Sequence, residues 1–345
     1  MPSPPRPFLR PRPRLAVARP VRVAFVCALF ALLGGLTMLT GSGPSEAAPA
    51  DAAESELKLT CRLVRQTVKL GDDVEVEVEI SNPSADSHTL PLIRLADDSV
   101  TLDLSGNGPK ARIMRLYGSF RLRKSKVEFV RTPTLKRRLE PGKTLRGRVR
   151  FAAVRPGELE IRPRFGLDGS QQLKCDALQL KVQPRGPGAK RLSARIETAR
   201  GTIRVQLDSQ NAFNSVSHFW TLARQGFYNG LTVHRAIEGT LVQSGDPRGD
   251  GLGDPGWYLP AEAHTAELDR GALVLARGVH ADSAGSQWLL VAGKNTKAFS
   301  RGFTRLGTVD EGLDVIDALA KVAVHPKSDR PLEPDRITSI RIGSR

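Results

Sequence analysis

This chain has little of what most enzyme chemistries need. Three cysteines in 345 residues exclude a disulfide-dense scaffold and a cysteine-built metal centre. The six histidines fall at no metal-ligand spacing. No serine stands in a nucleophile-elbow context. Aromatic residues are only 5% of the chain, and no basic stretch is interleaved with them as a base-stacking platform requires. The expectation is therefore no metal, no cofactor and no nucleic-acid partner. One glycine pattern, Gly251-Leu252-Gly253-Asp254-Pro255-Gly256, has the spacing of a dinucleotide fingerprint, but Pro255 and the lack of a following helix make it a loop. Acid is scarce too. The net charge is +16, and it falls to +11 without residues 1–50, which carry six arginines against the single acid Glu46. A soluble basic surface accounts for that excess.

What is present divides the chain into two domains behind a leader. Arg6, Arg10, Arg12, Arg14, Arg19 and Arg22 precede an apolar run from Val23 to Leu39, and Ala48-Pro49-Ala50 follows. A basic head, an apolar middle and an A-x-A exit form an export signal. The run has 17 residues, short for a membrane span and long for a signal core, so residues 1–50 read as a cleaved signal peptide or a retained membrane anchor. Either way the remainder is expected across the membrane, periplasmic or otherwise extracytoplasmic.

Residues 56–183 read as all-β. Val74, Val76, Val78 and Ile80 alternate with Glu75, Glu77 and Glu79. Leu57 to Leu63, Leu145 to Phe151, Leu159 to Phe165 and Leu178 to Val182 are further strands, with Pro163 pushing its own strand to an edge. Turn signals such as Gly71-Asp72-Asp73 and Pro156-Gly157 separate them. Short strands at this spacing predict a β-sandwich, immunoglobulin-like in shape. Cys61 and Cys175 lie near its two ends and, in an exported chain, are expected to form a disulfide; two separate buried thiols are the other reading. The basic stretch Arg121–Arg150 reads mostly as a solvated strand face. Residues 184–192 are proline- and glycine-rich and read as a linker between halves that fold independently.

Residues 193–345 mix short strands with two helices. Phe213, Val216, Phe219, Trp220 and Ala223 recur at helical spacing between Asn211 and Gln225. Leu313, Ile316, Leu319 and Ala320 do the same between Glu311 and Val322. Within this part Val233-His234-Arg235 opens an apolar stretch that ends in Gln243-Ser244-Gly245-Asp246. Taken alone, Arg235 is no more than a solvated edge charge on a strand.

With its neighbours, however, that stretch resembles the signature of the cyclophilin family of peptidyl-prolyl isomerases, which starts phenylalanine-histidine-arginine and ends glutamine-glycine-glycine-aspartate. The resemblance continues through Gly201-Thr202-Ile203, Phe219 to Ala223, Gly226 to Leu231, Gly285-Ser286-Gln287-Trp288-Leu289 and Leu306-Gly307-Thr308-Val309. It implies an eight-stranded antiparallel β-barrel capped by two helices over residues 193–345. It implies catalysis by Arg235, with Gln243 orienting that arginine. It also implies a substrate cleft lined by Thr240, Leu241, Ala276, Arg277, Gln287, Leu289, Phe299 and Phe303. The clients would be proline-containing polypeptides.

The socket departs from the family pattern. Thr240 stands where the family has phenylalanine, Leu241 where it has methionine, Leu289 where it has another phenylalanine, Ala298 where many members have tryptophan, and Phe303 where it has histidine. Two functions follow as expectations. One is an exported isomerase that assists folding, weak because its proline socket has lost aromatic area. The other is a non-catalytic, cyclophilin-shaped peptide-binding or scaffold module. The oligomeric state is not legible.

Overall fold

A computed structural model describes residues 57–92, 100–116, 118–123, 126–131, 135–167, 171–186, 191–262, 268–293 and 302–344. The leader, residues 187–190 of the 184–192 stretch and the positions of Ala298 and Phe299 lie outside them. The fold is mainly β.

Thirteen strands precede residue 184 among the described residues: β1 (Lys58–Leu63), β2 (Thr67–Lys69), β3 (Asp73–Ser81), β4 (His88–Leu92), β5 (Val100–Gly106), β6 (Ala111–Ile113), β7 (Gly118–Arg123), β8 (Lys126–Arg131), β9 (Leu135–Leu139), β10 (Thr144–Ala152), β11 (Gly157–Gly166), β12 (Gln172–Lys174) and β13 (Leu178–Gln183). One sheet runs β1-β3-β10 and a second β2-β13-β11-β5-β6, with β12 added beside β11. Two hairpin-like pairs, β4-β9 and β7-β8, stand apart from them.

The alternation in β3 does what its period requires. Val74, Val76, Val78 and Ile80 are buried. On the wet face Glu75, Glu77 and Glu79 lie opposite Arg150, Arg148 and Arg146 in register and pair with them at 3.1, 2.8 and 2.8 Å. Such exposed pairs stabilise by about 0.2–1 kcal/mol each at most, so they set register more than stability. Pro163 does not make β11 an edge strand, as its sequence suggests. Strand β11 is flanked on both sides, and Pro163 falls in the gap where β13 stops at Ile161 and β12 begins at Arg164.

The second half contains β14 (Leu192–Thr198), β15 (Gly201–Leu207), helix α1 (Phe213–Arg224), β16 (Arg235–Ile237), β17 (Leu241–Ser244), β18 (Ala272–Leu275), β19 (Trp288–Val291), β20 (Thr304–Glu311), helix α2 (Leu313–Ala320) and β21 (Ile337–Ser344). Its strands form one antiparallel sheet in the order β16-β17-β19-β18-β20-β15-β14-β21. The residues just before β16 hydrogen-bond to the start of β21, through Gly230 N–H to Ile337 O at 2.7 Å and Ile337 N–H to Leu231 O at 2.8 Å. The two outer strands are thereby tied together.

The two halves pack against each other. One contiguous apolar core runs from Leu57 to Ile340 and includes both sheets of the first half and α1. Ten of the twelve residues of α1 are buried. Trp220 donates Nε1–H to Gly71 O at 3.0 Å, and the Ala152 N–H donates to Ser217 Oγ at 2.9 Å. Gly71 has φ +85°, and a Cβ there would meet the Trp220 ring at 2.5 Å, so only glycine lets this turn receive the indole. Arg155 is 1% exposed. It donates to Pro109 O at 2.8 Å on one side and to Ser209 O and Gln210 O at 3.2 and 2.9 Å on the other. Its guanidinium carbon lies 5.0 Å from the Phe213 ring centre. Burial pulls its pKa below the usual arginine value, and the nearby Glu262 carboxylate partly restores it.

Glu262 itself caps α1. Ala212 has no capping side chain, and the Glu262 carboxylate instead accepts the N–H groups of Asn214 and Ser215 at 2.9 and 2.7 Å. A carboxylate at that helix end also meets the positive pole of the helix dipole.

The fold brings Cys61 and Cys175 together from 114 positions apart in the chain. They share a side-chain hydrogen bond, which raises the Cys61 pKa and lowers that of Cys175.

Two outcomes test this architecture. Arg155→Ala leaves three backbone carbonyls without their donor and should lower the unfolding free energy by about 3 kcal/mol, read in urea melts that retain a single transition. Protein prepared without reductant should show no alkylatable thiol at Cys61 or Cys175 if the contact closes into a bridge. Two modified thiols would rule the bridge out.

Candidate active site

The register of the second sheet sorts side chains onto two faces. Arg235 lies opposite Gln243, Gln243 opposite Leu289, and Leu289 opposite Val274. Side chains in register project to the same side, and those two residues along a strand do so again. The inner face takes Val242, Leu273, Leu275, Trp288 and Leu290 into the main core. The other face carries a separate apolar cluster of Leu268, Ala272, Val274, Leu289 and Val291, with Ala276 and Phe303 packed against it. At one end of this second face stand Gln243 and Arg235. A cation and an apolar patch therefore share one surface.

The polar side is built as a chain of amides. Gln243 donates Nε2–H to Gln287 Oε1 at 2.9 Å. Gln287 in turn donates to Gly251 O at 3.1 Å and Gly253 O at 2.8 Å. Those carbonyls belong to the glycine-rich loop, which is a loop here as its proline suggests and leads to no helix. The loop is shaped by Asp246, which is 1% exposed and accepts the N–H groups of Arg248, at 2.7 Å, and Gly251. Gly245 turns the chain at φ +87°, where a Cβ would stand 2.5 Å from Ser286 O. Ser286 and Ser244 place their hydroxyls on backbone carbonyls, Gly245 O at 2.7 Å and Thr232 O at 2.9 Å, so neither is a free nucleophile. His234 is buried, and burial lowers its pKa, which keeps the ring neutral beside Arg235.

Arg235 is half-exposed at the start of β16. Its Nε–H and Nη2–H donate to one oxygen of Asp329, Oδ2, at 3.2 and 3.1 Å. The sequence reading has Gln243 orienting Arg235. In the structure the two are in register, but the Gln243 amide turns to Gln287 and the carboxylate holding the guanidinium comes from Asp329. Nothing in the sequence motifs marked Asp329, which is 94 positions away.

Of the residues named for the socket, Leu289, Ala276 and Phe303 share the outer apolar cluster. Leu241 and Leu289 are buried on β17 and β19. Thr240 is half-buried at the turn between β16 and β17, and its N–H donates to Ile237 O at 3.0 Å. Ala276 follows β18, with its N–H on Gln287 O at 2.9 Å. Arg277 does not point a free charge at the cleft. It donates Nε–H to Gly302 O at 2.7 Å and lies 4.5 Å from the Phe303 ring centre, which braces that ring against the apolar cluster. Phe299 lies outside the described residues. Phe303 is thus the one aromatic side chain among the described socket residues.

This arrangement can hold an apolar ring on Leu289 and Phe303 while presenting a fixed cation to an adjacent backbone amide. Comparison with known proteins gives the same family. Residues 193–342 match the family model described as cyclophilin type peptidyl-prolyl cis-trans isomerase/CLD. The chain is similar to a Helicobacter pylori peptidyl-prolyl cis-trans isomerase, 37% identical over 146 residues, which cover 38% of this chain and 87% of that protein. It is also similar to the mouse peptidylprolyl isomerase domain and WD repeat-containing protein 1, 32% identical over 165 residues. The match covers 47% of this chain, and the chain spans a quarter of that relative's length. A crystal structure of a cyclophilin-type isomerase from Cryptosporidium parvum aligns with 45% of this chain and 99% of its own, with 23% identity and a TM-score of 0.42.

The Asp246 turn has a pH signature. Burial pushes the carboxyl up, but the N–H groups of Arg248, Gly253 and Gly251 outweigh it, so its pKa lies below the usual aspartate value. The unfolded chain then binds the extra proton first. Stability is full above an unfolded value of about 3.9 and is lost as pH falls through the folded one. Urea melts between pH 6 and 2.5 should show this loss, and Asp246→Asn should flatten it.

Proposed function

Given that this chain belongs to the cyclophilin-type peptidyl-prolyl isomerase family, we propose that residues 193–345 catalyse cis–trans isomerisation of X–Pro bonds in polypeptide clients. The observation that carries the reading is the shared surface of Arg235, Gln243, Leu289 and Val274, four residues in register across four strands. Rotation about an X–Pro bond faces a barrier of about 18–20 kcal/mol set by amide resonance. No bond breaks, so neither nucleophile nor general acid is needed. Leu241, Leu289, Ala276 and Phe303 hold the proline ring. As the amide twists, its nitrogen becomes pyramidal and gains a lone pair, and Arg235 donates to it. That bond exists mainly in the transition state, so it raises the rate rather than only the affinity.

The socket makes the activity weak. Thr240 and Leu289 supply less apolar contact than aromatic rings would, and ring burial stabilises by about 1.5–3 kcal/mol. A second reading, a non-catalytic peptide-binding scaffold, draws on the engagement of Arg235 by Asp329. The isomerase reading is favoured because the guanidinium stays half-exposed on the cleft face.

The rest of the proposal concerns setting. Export through residues 1–50, with the folding of secreted chains as the task, rests on the basic head, the 17-residue apolar run and the A-x-A exit. Membrane anchoring through residues 23–39 is the variant in which that leader is retained. No helix of the described residues is long and apolar enough to cross a membrane. The domain plan is 56–183, a linker over 184–192, and 193–345. An immunoglobulin-like identity for the first half is supported by strand order: β1-β3-β10 follows A-B-E, and β13-β11-β5-β6 follows G-F-C-C′.

The test is a proline-isomerisation assay on the described two-domain chain. Arg235→Ala should lower kcat/KM by about two orders of magnitude, the effect of losing one preorganised donor worth roughly 2.7–4 kcal/mol. Arg235→Lys should rescue poorly because an ammonium lacks the planar fork. Thr240→Phe should raise activity. An inactive wild type that Thr240→Phe does not awaken would leave the scaffold reading in its place.

A further inference from the structure

The loop that returns the chain from α2 to β21 does more than connect them. It is a tight turn. Val324 pairs with Pro331 as an antiparallel bridge, His325 N–H donates to Arg330 O at 2.8 Å, and Asp329 N–H donates to His325 O at 3.1 Å. Asp329 has φ +52°, the only non-glycine with positive φ among the described residues. Aspartate tolerates that conformation better than most residues, yet it still carries a cost that the surroundings must offset. What the turn achieves is a double hold on β16. The Asp329 carbonyl accepts the N–H of Ala236 at 2.9 Å, continuing the sheet beyond its edge. Its carboxylate oxygen accepts Nε–H and Nη2–H of Arg235, the residue before.

These two contacts have different energetic meaning. The side chains are 42% and 39% exposed, so the ion pair adds little to stability. Its effect is geometric. An arginine on a short strand has four side-chain torsions to fix, and a cation that wanders stabilises a transition state poorly. Two bonds from one fork edge to one oxygen set the guanidinium plane and leave Nη1 as the donor directed away from the carboxylate. The expected orienting partner, Gln243, is already committed to Gln287.

We propose that Asp329 is the positioning residue of this site: it fixes the Arg235 fork so that Nη1 meets the twisted prolyl nitrogen. This rests on the isomerase reading. Asp329 touches no substrate atom and acts through Arg235 alone.

The experiment uses the full chain, a tetrapeptide with one X–Pro bond, and two variants. Asp329→Ala should lower kcat about tenfold with KM within twofold, inside the roughly hundredfold that a 1 Å misplacement can cost. Asp329→Asn keeps an acceptor oxygen on the same side-chain frame and should recover most of that loss. Asp329→Asn should leave the melting midpoint in place, because an exposed pair contributes little to stability and asparagine tolerates positive φ, whereas Asp329→Ala should lower it slightly through backbone strain alone. Nitrogen-edited NMR of the Arg235 Nε–H, assigned through Arg235→Lys, supplies a readout independent of turnover. Its solvent exchange should be slow in the wild type and in Asp329→Asn, and fast in Asp329→Ala. An Asp329→Ala enzyme with unchanged or raised kcat overturns the proposal, as does an unchanged Nε–H exchange rate. A wild type without turnover, with Thr240→Phe inactive as well, instead sinks the isomerase reading, and the exchange rates then decide by themselves whether Asp329 fixes the fork.

Discussion

Helix α1 is the wall that both halves of the protein share, and the rest of the structure is arranged by its burial on two sides. On one side Val216, Phe219 and Ala223 complete the core beneath the eight-stranded sheet. On the other, Trp220 reaches the Gly71 turn and Ser217 receives the backbone of Ala152. A helix so enclosed cannot leave its first N–H groups to water. Glu262 supplies the missing cap, and Arg155 threads between Pro109 and Gln210 to satisfy carbonyls from both halves. The three carbonyls that share this buried guanidinium come from both halves, so the contact ties the placement of the strands around α1.

That placement frees the opposite face of the sheet for the cleft. Strands β16, β17, β19 and β18 have one face in the core and one outside, and the period of two puts Arg235 and Gln243 on the outside together with Leu289 and Val274. The cleft floor is thus a consequence of strand register, while its polar rim depends on loops. Asp246 folds one loop under Gln287, and Asp329 brings another against Arg235. Polar groups held by strands and positioned by loops fit a scaffold whose core need not change when its surface does.

Much of this was legible before any coordinates. The alternation from Val74 to Ile80 named a half-buried strand, and the two helical repeats matched α1 and α2 to within a few residues. The signature stretch named Arg235 and Gln243, which the sheet brings into register. What was misread has identifiable causes. Pro163 looked like an edge marker because a sequence cannot show that β13 and β12 leave a gap beside it. The contact between the halves carried no mark in the linker-like 184–192 stretch, because it is made elsewhere, through α1. Asn214, Ser217 and His218 are polar, so their burial against the first half had no signature in the helical repeat.

By itself, the sequence determined what depends on neighbours along the chain: strand and helix periods, turn glycines such as Gly71, and the identity of the cation in the cleft. These follow from local sterics and from which residue types lie two or four positions apart. Tertiary structure alone decided the contacts made across distance. It placed Cys61 against Cys175, Glu262 on the N-terminus of α1, Trp220 over Gly71 and Asp329 on Arg235. Each of these joins residues tens of positions apart or more, and each is set by the path the backbone takes between them. A carboxylate at position 329 carries no mark in the sequence that ties it to an arginine at 235. Only the turn from His325 to Pro331, docked on the edge of β16, makes it a partner.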